Sequence, residues 1–188
     1  MIDVQAYGYA LAAILAAGLL FWLVSLRRQD VSIVDSLWSL MFLIAAGVYL
    51  VTAPQPDARS SLVVVLVAIW ALRLAAYITW RNWGEGEDHR YREIRARNEP
   101  GFAFKSLYLV FGLQGVIAWI VSLPLLVAIH GSGPLGWADW LGVALWGLGM
   151  FFEAAGDWQL ARFRADPANR GKVLDRGLWR YTRHPNYF

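Results

Sequence analysis

Leu62-Val63-Val64-Val65-Leu66-Val67-Ala68-Ile69-Trp70-Ala71-Leu72-Arg73-Leu74-Ala75-Ala76-Tyr77-Ile78-Thr79-Trp80 is a run of 19 residues with a single charged side chain, Arg73. A helix crossing the hydrocarbon core of a bilayer needs about 20 mostly apolar residues, so this run reads as a membrane span. Outward from it, runs at about 6–26, 33–52, 107–129 and 138–161 have the same character, which predicts five transmembrane helices. The composition agrees: 58% of the 188 residues are hydrophobic and 16% charged, against roughly 45–50% and about 25% in soluble domains. The expected fold class is an all-α, polytopic helical membrane bundle forming one domain over residues 1–188.

The charges supply an independent check. Arg27 and Arg28 follow the first span; Arg81, Arg90, Arg92, Arg95, Arg97 and Lys105 flank or occupy the third loop, 81–106; seven more basic residues follow Ala161. Alternate loops thus carry fifteen of the 17 cations, and Arg59 alone falls on the other side. The positive-inside rule then places the N-terminus outside and the long loop and the 162–188 tail in the cytoplasm, as expected for a bacterial cell membrane. Asp3 and the absence of Lys or Arg before the first apolar run argue against a cleaved signal peptide.

Several chemistries are excluded. With no cysteine, disulfides, thiolate metal sites and thiol catalysis drop out. His89, His130 and His184 lack metal-ligand spacing, and a net charge of +3 without a basic face gives nucleic-acid binding little support. Gly84-Glu85-Gly86 starts like a dinucleotide fingerprint but follows a membrane helix rather than a strand. Trp80, Trp83, Trp137 and Trp140 suit interfacial anchors. Between Gly84 and Phe104 acids and bases alternate up to Pro100-Gly101; this predicts a short surface helix, either simply solvated or acting as a lid.

Ionised groups within spans are candidates for function, since each costs roughly 2.5–3.5 kcal/mol near the bilayer centre. They are Asp35, Arg73, Glu153 and Asp157; mutual pairing for helix association is the alternative. Glu153, Asp157 and Arg164 are spaced to share one helix face. Arg170, Lys172, Arg176, Arg180 and Arg183 follow close to His184. They suit either anionic lipid or a nucleotide phosphate gripped by forked guanidinium donors.

Phe152-Glu153-Ala154-Ala155-Gly156-Asp157-Trp158-Gln159-Leu160-Ala161-Arg162-Phe163-Arg164, then Gly177-Leu178-Trp179-Arg180-Tyr181-Thr182-Arg183-His184-Pro185-Asn186-Tyr187-Phe188, with Arg81-Asn82-Trp83-Gly84, resemble the steroid 5α-reductase superfamily, in particular its bacterial DUF1295-type branch. The resemblance implies a membrane fold of about seven helices that binds NADPH from the cytoplasm and reduces a carbonyl-conjugated carbon–carbon double bond in a lipid or steroid-like substrate. It further implies dinucleotide contacts from Arg73, Asn82, Asp157, Arg164, Arg180, His184, Asn186 and Tyr187. The family's Gln-Glu pair on the second span corresponds to Val34-Asp35, and its tyrosine three residues before the third-span arginine to Trp70. Asp35, kept protonated by burial, is the expected catalytic donor to the enolate oxygen. Relatives continue past the position of Phe188 into further helices, so a truncated chain is expected. Two other functions fit the same residues: an S-adenosylmethionine-dependent methyltransferase of the isoprenylcysteine carboxyl type, which has a similar Arg-His-Pro-x-Tyr turn, and a non-catalytic membrane scaffold or lipid-binding protein.

Overall fold

The expected apolar runs form helices in the computed structural model, which describes residues 2–187; Phe188, the last residue of the quoted motif, lies outside them. The chain divides between Pro134 and Leu135 into two units. The first holds α1 (Val4–Arg28), α2 (Ile33–Thr52), α3 (Ala58–Asn82), α4 (His89–Asn98), α5 (Phe102–Ser106), a π-helical segment Leu107–Gly112, α6 (Leu113–Val121) and α7 (Leu123–His130). The second holds α8 (Trp137–Ala165) and three 3-10 turns, Pro167–Asn169, Gly177–Arg180 and Pro185–Tyr187. All regular structure among the described residues is helical, and the protein is a helical membrane bundle.

Helix α2 is the spine of the first unit. It buries Val34, Leu37, Met41, Ala45, Ala46 and Tyr49. Its alanines leave room for close helix approach, the usual packing device where lipid removes the hydrophobic drive between helices. Polar side chains join it to its neighbours: Ser39 Oγ donates to the Ala71 carbonyl at 2.9 Å, and Tyr49 Oη meets Ser122 Oγ at 2.8 Å. Against α6, α1 stacks Tyr7 on Trp119 with ring centroids 4.3 Å apart. There a Cβ on Gly115 would come within 3.3 Å of Ile14 and Leu15, so only glycine fits without a shift.

Four stretches are both long and apolar enough to cross a membrane among the described residues: Val4–Arg28, Ile33–Thr52, Ala58–Asn82 and Phe102–Val121. The fifth expected span, 138–161, falls within α8, a single helix of 29 residues; it is long enough at about 1.5 Å per residue but carries Asp139, Glu153 and Asp157 and is not among the four. Over the expected span 107–129 the chain is helical in three successive segments, and helix starts before it. Helix begins at Phe102, because Gly101 adopts the left-handed conformation that turns the chain into α5 and Phe102 is fully buried. It is interrupted at Ser122, because Pro124 has no N–H to continue the ladder. The expected loop 81–106 is correspondingly shorter and contains α4.

Helices α3 and α7 meet at the end of the unit away from α4. Ser60 Oγ donates to the Ile129 carbonyl at 2.6 Å, Arg59 Nη2 to the Pro134 carbonyl at 3.0 Å, and the Gly133 N–H to Asp57 at 3.2 Å.

Candidate functional site

The second unit builds its polar end from the last turns of α8 and the loop that folds back on it. Asp157 is 4% exposed and its Oδ1 accepts from Asn186 Nδ2 at 3.0 Å. This bond clamps the Pro185–Tyr187 turn to the helix. Gly156 makes the approach possible: a Cβ there would lie 3.2 Å from the Asn186 nitrogen and 3.3 Å from Pro185 Cγ. Trp179 Nε1 donates to the Gly156 carbonyl at 3.1 Å, and the Leu178 N–H donates to Gln159 Oε1 at 3.0 Å. Three consecutive parts of the loop are therefore tied to three neighbouring residues of one helix.

Between the end of α8 and this loop lies a cavity of about 920 Å³. Arg164, Arg170, Lys172 and Arg183 line it, with Asp166 and Asp175 as the acids. Leu160, Phe163 and Trp179 give it an apolar wall. The volume falls at the upper end of small-molecule sites, and the cations outnumber the acids two to one, which suits a phosphorylated ligand.

The expected residues divide into groups. Asp157 and Asn186 bond directly. Arg164 lines the cavity. Arg180 is exposed and is not part of its wall. His184 and Tyr187 stack on each other at 5.2 Å, both largely exposed. In the first unit, Arg73 lies on α3 one turn after Trp70, with its Nε and Nη2 shielded from solvent. Asn82 ends α3, accepts from Arg81 Nε at 3.0 Å, and lines a cavity of about 270 Å³ with Arg28, Asp30, Ser36 and Thr79.

Asp35 accepts at Oδ2 from Arg90 Nη2 at 2.8 Å and at Oδ1 from the Tyr91 hydroxyl at 2.6 Å. Both oxygens of the Asp35 carboxyl group are thus engaged by residues of α4, which it anchors. Tyr91 is buried and also accepts from Gln114 Nε2 at 3.2 Å. Burial first, and then the Asp35 charge, pushes its pKa well above the ordinary phenol value. Trp70, at the position of the family tyrosine, packs edge-on against Phe42 at 5.7 Å.

Helix α4 is held by more than Asp35. Burial raises the Glu87 pKa, but the Arg95 hydrogen bond, the Val31 N–H and the Arg95 and Arg92 charges outweigh it and leave the carboxyl below its usual range. Arg95 bonds Glu87 at 2.7 Å and 2.9 Å. Asp88 is also lowered, chiefly by its hydrogen bond from Arg90, and its N–H donates to Ser32 Oγ at 2.7 Å.

The organising roles of Gly156, Gln159, Gly177, Trp179 and Tyr91 were not legible as site signals. Gln159 was the most accessible, since a polar amide two residues after Asp157 lies on the same apolar helix end.

A family model described as "Protein of unknown function (DUF1295)" matches residues 21–188. No curated protein and no solved structure matches the chain.

Proposed function

Because the chain belongs to the DUF1295 family, and because its matched region ends in a helix-clamped, cation-lined cavity, we propose that it is a membrane-embedded, NADPH-dependent reductase of a carbonyl-conjugated double bond in a lipid or steroid-like substrate. The observation that carries this reading is the convergence of Arg164, Arg170, Lys172 and Arg183 on one cavity of dinucleotide size. Those four are the residues that would hold the phosphates, the 2′-phosphate of NADPH among them. The Asp157–Asn186 bond keeps the Arg183-His184-Pro185 segment against the helix, which fixes where Arg183 can reach. When bound, the dinucleotide supplies a hydride for the β-carbon of the enone.

The cofactor side is proposed to be cytoplasmic and the N-terminus external, on the distribution of cations, with α8 as a fifth span. Apolar lipid substrates would arrive from the bilayer and a water-soluble cofactor from the opposite phase, an arrangement that a polar site at a helix end serves. With Asp35 committed to α4, the group that polarises the substrate carbonyl is not assigned to it.

The test is equilibrium binding of NADPH, NADH and S-adenosylmethionine to the detergent-purified 188-residue protein. NADPH should bind in preference to NADH. Arg164→Ala and Arg183→Ala should each weaken it by tenfold or more, from the roughly 1.5–3 kcal/mol of a charged hydrogen bond. Arg180→Ala, off the cavity wall, should weaken it less. Preference for S-adenosylmethionine would move the function to methyl transfer, and binding of none of the three would leave a non-catalytic lipid-binding role.

A further inference from the structure

Arg27 and Arg28 close α1 as its last turn and are exposed. They make no ion pair or hydrogen bond among the described residues, nor does Arg92 on α4. Other arginines at this end are saturated: Arg90 binds Asp35 and Asp88, and Arg95 binds Glu87 and reaches the Gln29 carbonyl at 3.3 Å. That last contact sets α4 across the corner leaving α1, beside Arg28. Two exposed guanidiniums without an ion pair thus stand side by side where α1 ends.

An apolar strip leads directly to it. Leu20, Leu23 and Val24 are exposed and, with Arg27, occupy positions i, i+3, i+4 and i+7 of one helix face. About one and a half turns before the arginines, Trp22 donates from Nε1 to the Ala103 carbonyl at 2.9 Å and sits 6.2 Å from the Phe104 ring. Phe104 and Tyr108, one turn apart, are both exposed, which is the pattern of aromatic side chains at the headgroup level.

We propose that this end of the first unit binds an anionic phospholipid, its phosphate on Arg27 and Arg28 and one acyl chain along Leu20, Leu23 and Val24. Charge complementarity selects the headgroup: two unpaired guanidiniums suit a phosphodiester whose charge is not cancelled by an attached amine. The apolar strip selects a lipid over a free phosphate. This site is independent of the cavity in the second unit and does not rest on the reductase reading.

The experiment is native mass spectrometry and thermal unfolding of the detergent-purified full chain with added phosphatidylglycerol, phosphatidylcholine or glycerol phosphate. Phosphatidylglycerol should be retained and should raise the unfolding midpoint; the other two should do neither. Arg27→Gln and Arg28→Gln should each lower phosphatidylglycerol affinity about fivefold, the equivalent of about 1 kcal/mol per surface arginine. Arg27→Lys with Arg28→Lys should restore most of it, and Arg164→Gln should leave it unchanged. Equal binding of phosphatidylcholine, full competition by glycerol phosphate, or undiminished affinity in the glutamine variants would overturn the proposal. Should the glutamine variants fail to insert, a salt titration of the unaltered protein decides: affinity for phosphatidylglycerol must fall with ionic strength, and a salt-independent affinity would overturn it equally.

Discussion

Two glycines in the second unit carry different loads. At Gly177 the backbone has φ +64, and a Cβ would lie 2.6 Å from Gln159 Oε1, the atom that accepts from Leu178. Gly171 has φ +77 with open space around it. Alanine at either position pays the left-handed penalty of about 1–2 kcal/mol, but only Gly177→Ala must also displace the glutamine. Gly177→Ala should therefore lower the thermal midpoint in detergent clearly more than Gly171→Ala; equal losses would show that the Gln159 contact contributes nothing. Gly156→Ala acts through a neighbour, since its methyl group would press on Asn186 and Pro185. Its cost should be strongly non-additive with Asn186→Ala, because both changes disturb the same bond to Asp157. Additive losses would argue that the clamp and the close approach are unrelated.

At the scale of elements, α4 is a short polar helix fastened by ionisable groups, so its attachment depends on pH. Glu87 and Asp88 have folded pKa values below their unfolded ones. Their stabilisation is present above the unfolded values of about 4 and is lost as the pH falls through the folded values. Tyr91 has the opposite sign: its folded pKa is raised, so the contribution is complete below the unfolded value of about 10 and is lost as the pH rises beyond it. Helix α4 should stay fastened from about pH 5 to 9 and loosen on both sides. The chain has no cysteine, which makes a single spin label at Glu93→Cys, on the exposed face of α4, a clean reporter. Label mobility should rise below about pH 4, and Tyr91→Phe should remove the alkaline transition alone. Mobility that is flat across the range would sink this account of the fastening.

For the whole molecule the open quantity is the number of crossings. Among the described residues four helical stretches qualify on length and apolarity, while α8 is long but carries acids within it. The cation distribution predicts that α8 crosses nonetheless. A thiol reagent applied from one side should then modify Lys172→Cys and Glu93→Cys alike, and Gln55→Cys and Gly133→Cys only from the other. Lys172→Cys reacting together with Gly133→Cys would mean that α8 does not cross. The shared end of Gln55 and Gly133 is already visible in the Asp57 bond to the Gly133 N–H, so these two act as mutual controls.

Hydropathy alone determined that this is a helical membrane protein, because apolar length is a one-dimensional property and lipid offers the backbone no alternative to helical hydrogen bonding. It also located α2 and the bulk of α1, α3 and α8 closely and marked Asp157 as an acid within an apolar run, whereas Asn186 entered only through the family resemblance. What the sequence left open depended on contacts across the chain. Asp35 read as a buried acid in a span, yet its partners Arg90 and Tyr91 are 55 and 56 residues away, and only their arrival makes it an anchor. Arg180 and Arg183 read alike as tail cations, but in the loop held by the bonds from Leu178 to Gln159 and from Trp179 to Gly156 only Arg183 lines the cavity. Tertiary structure decided these points because the orientation of a polar side chain is set by whichever partner satisfies it, and no local pattern records a partner so distant.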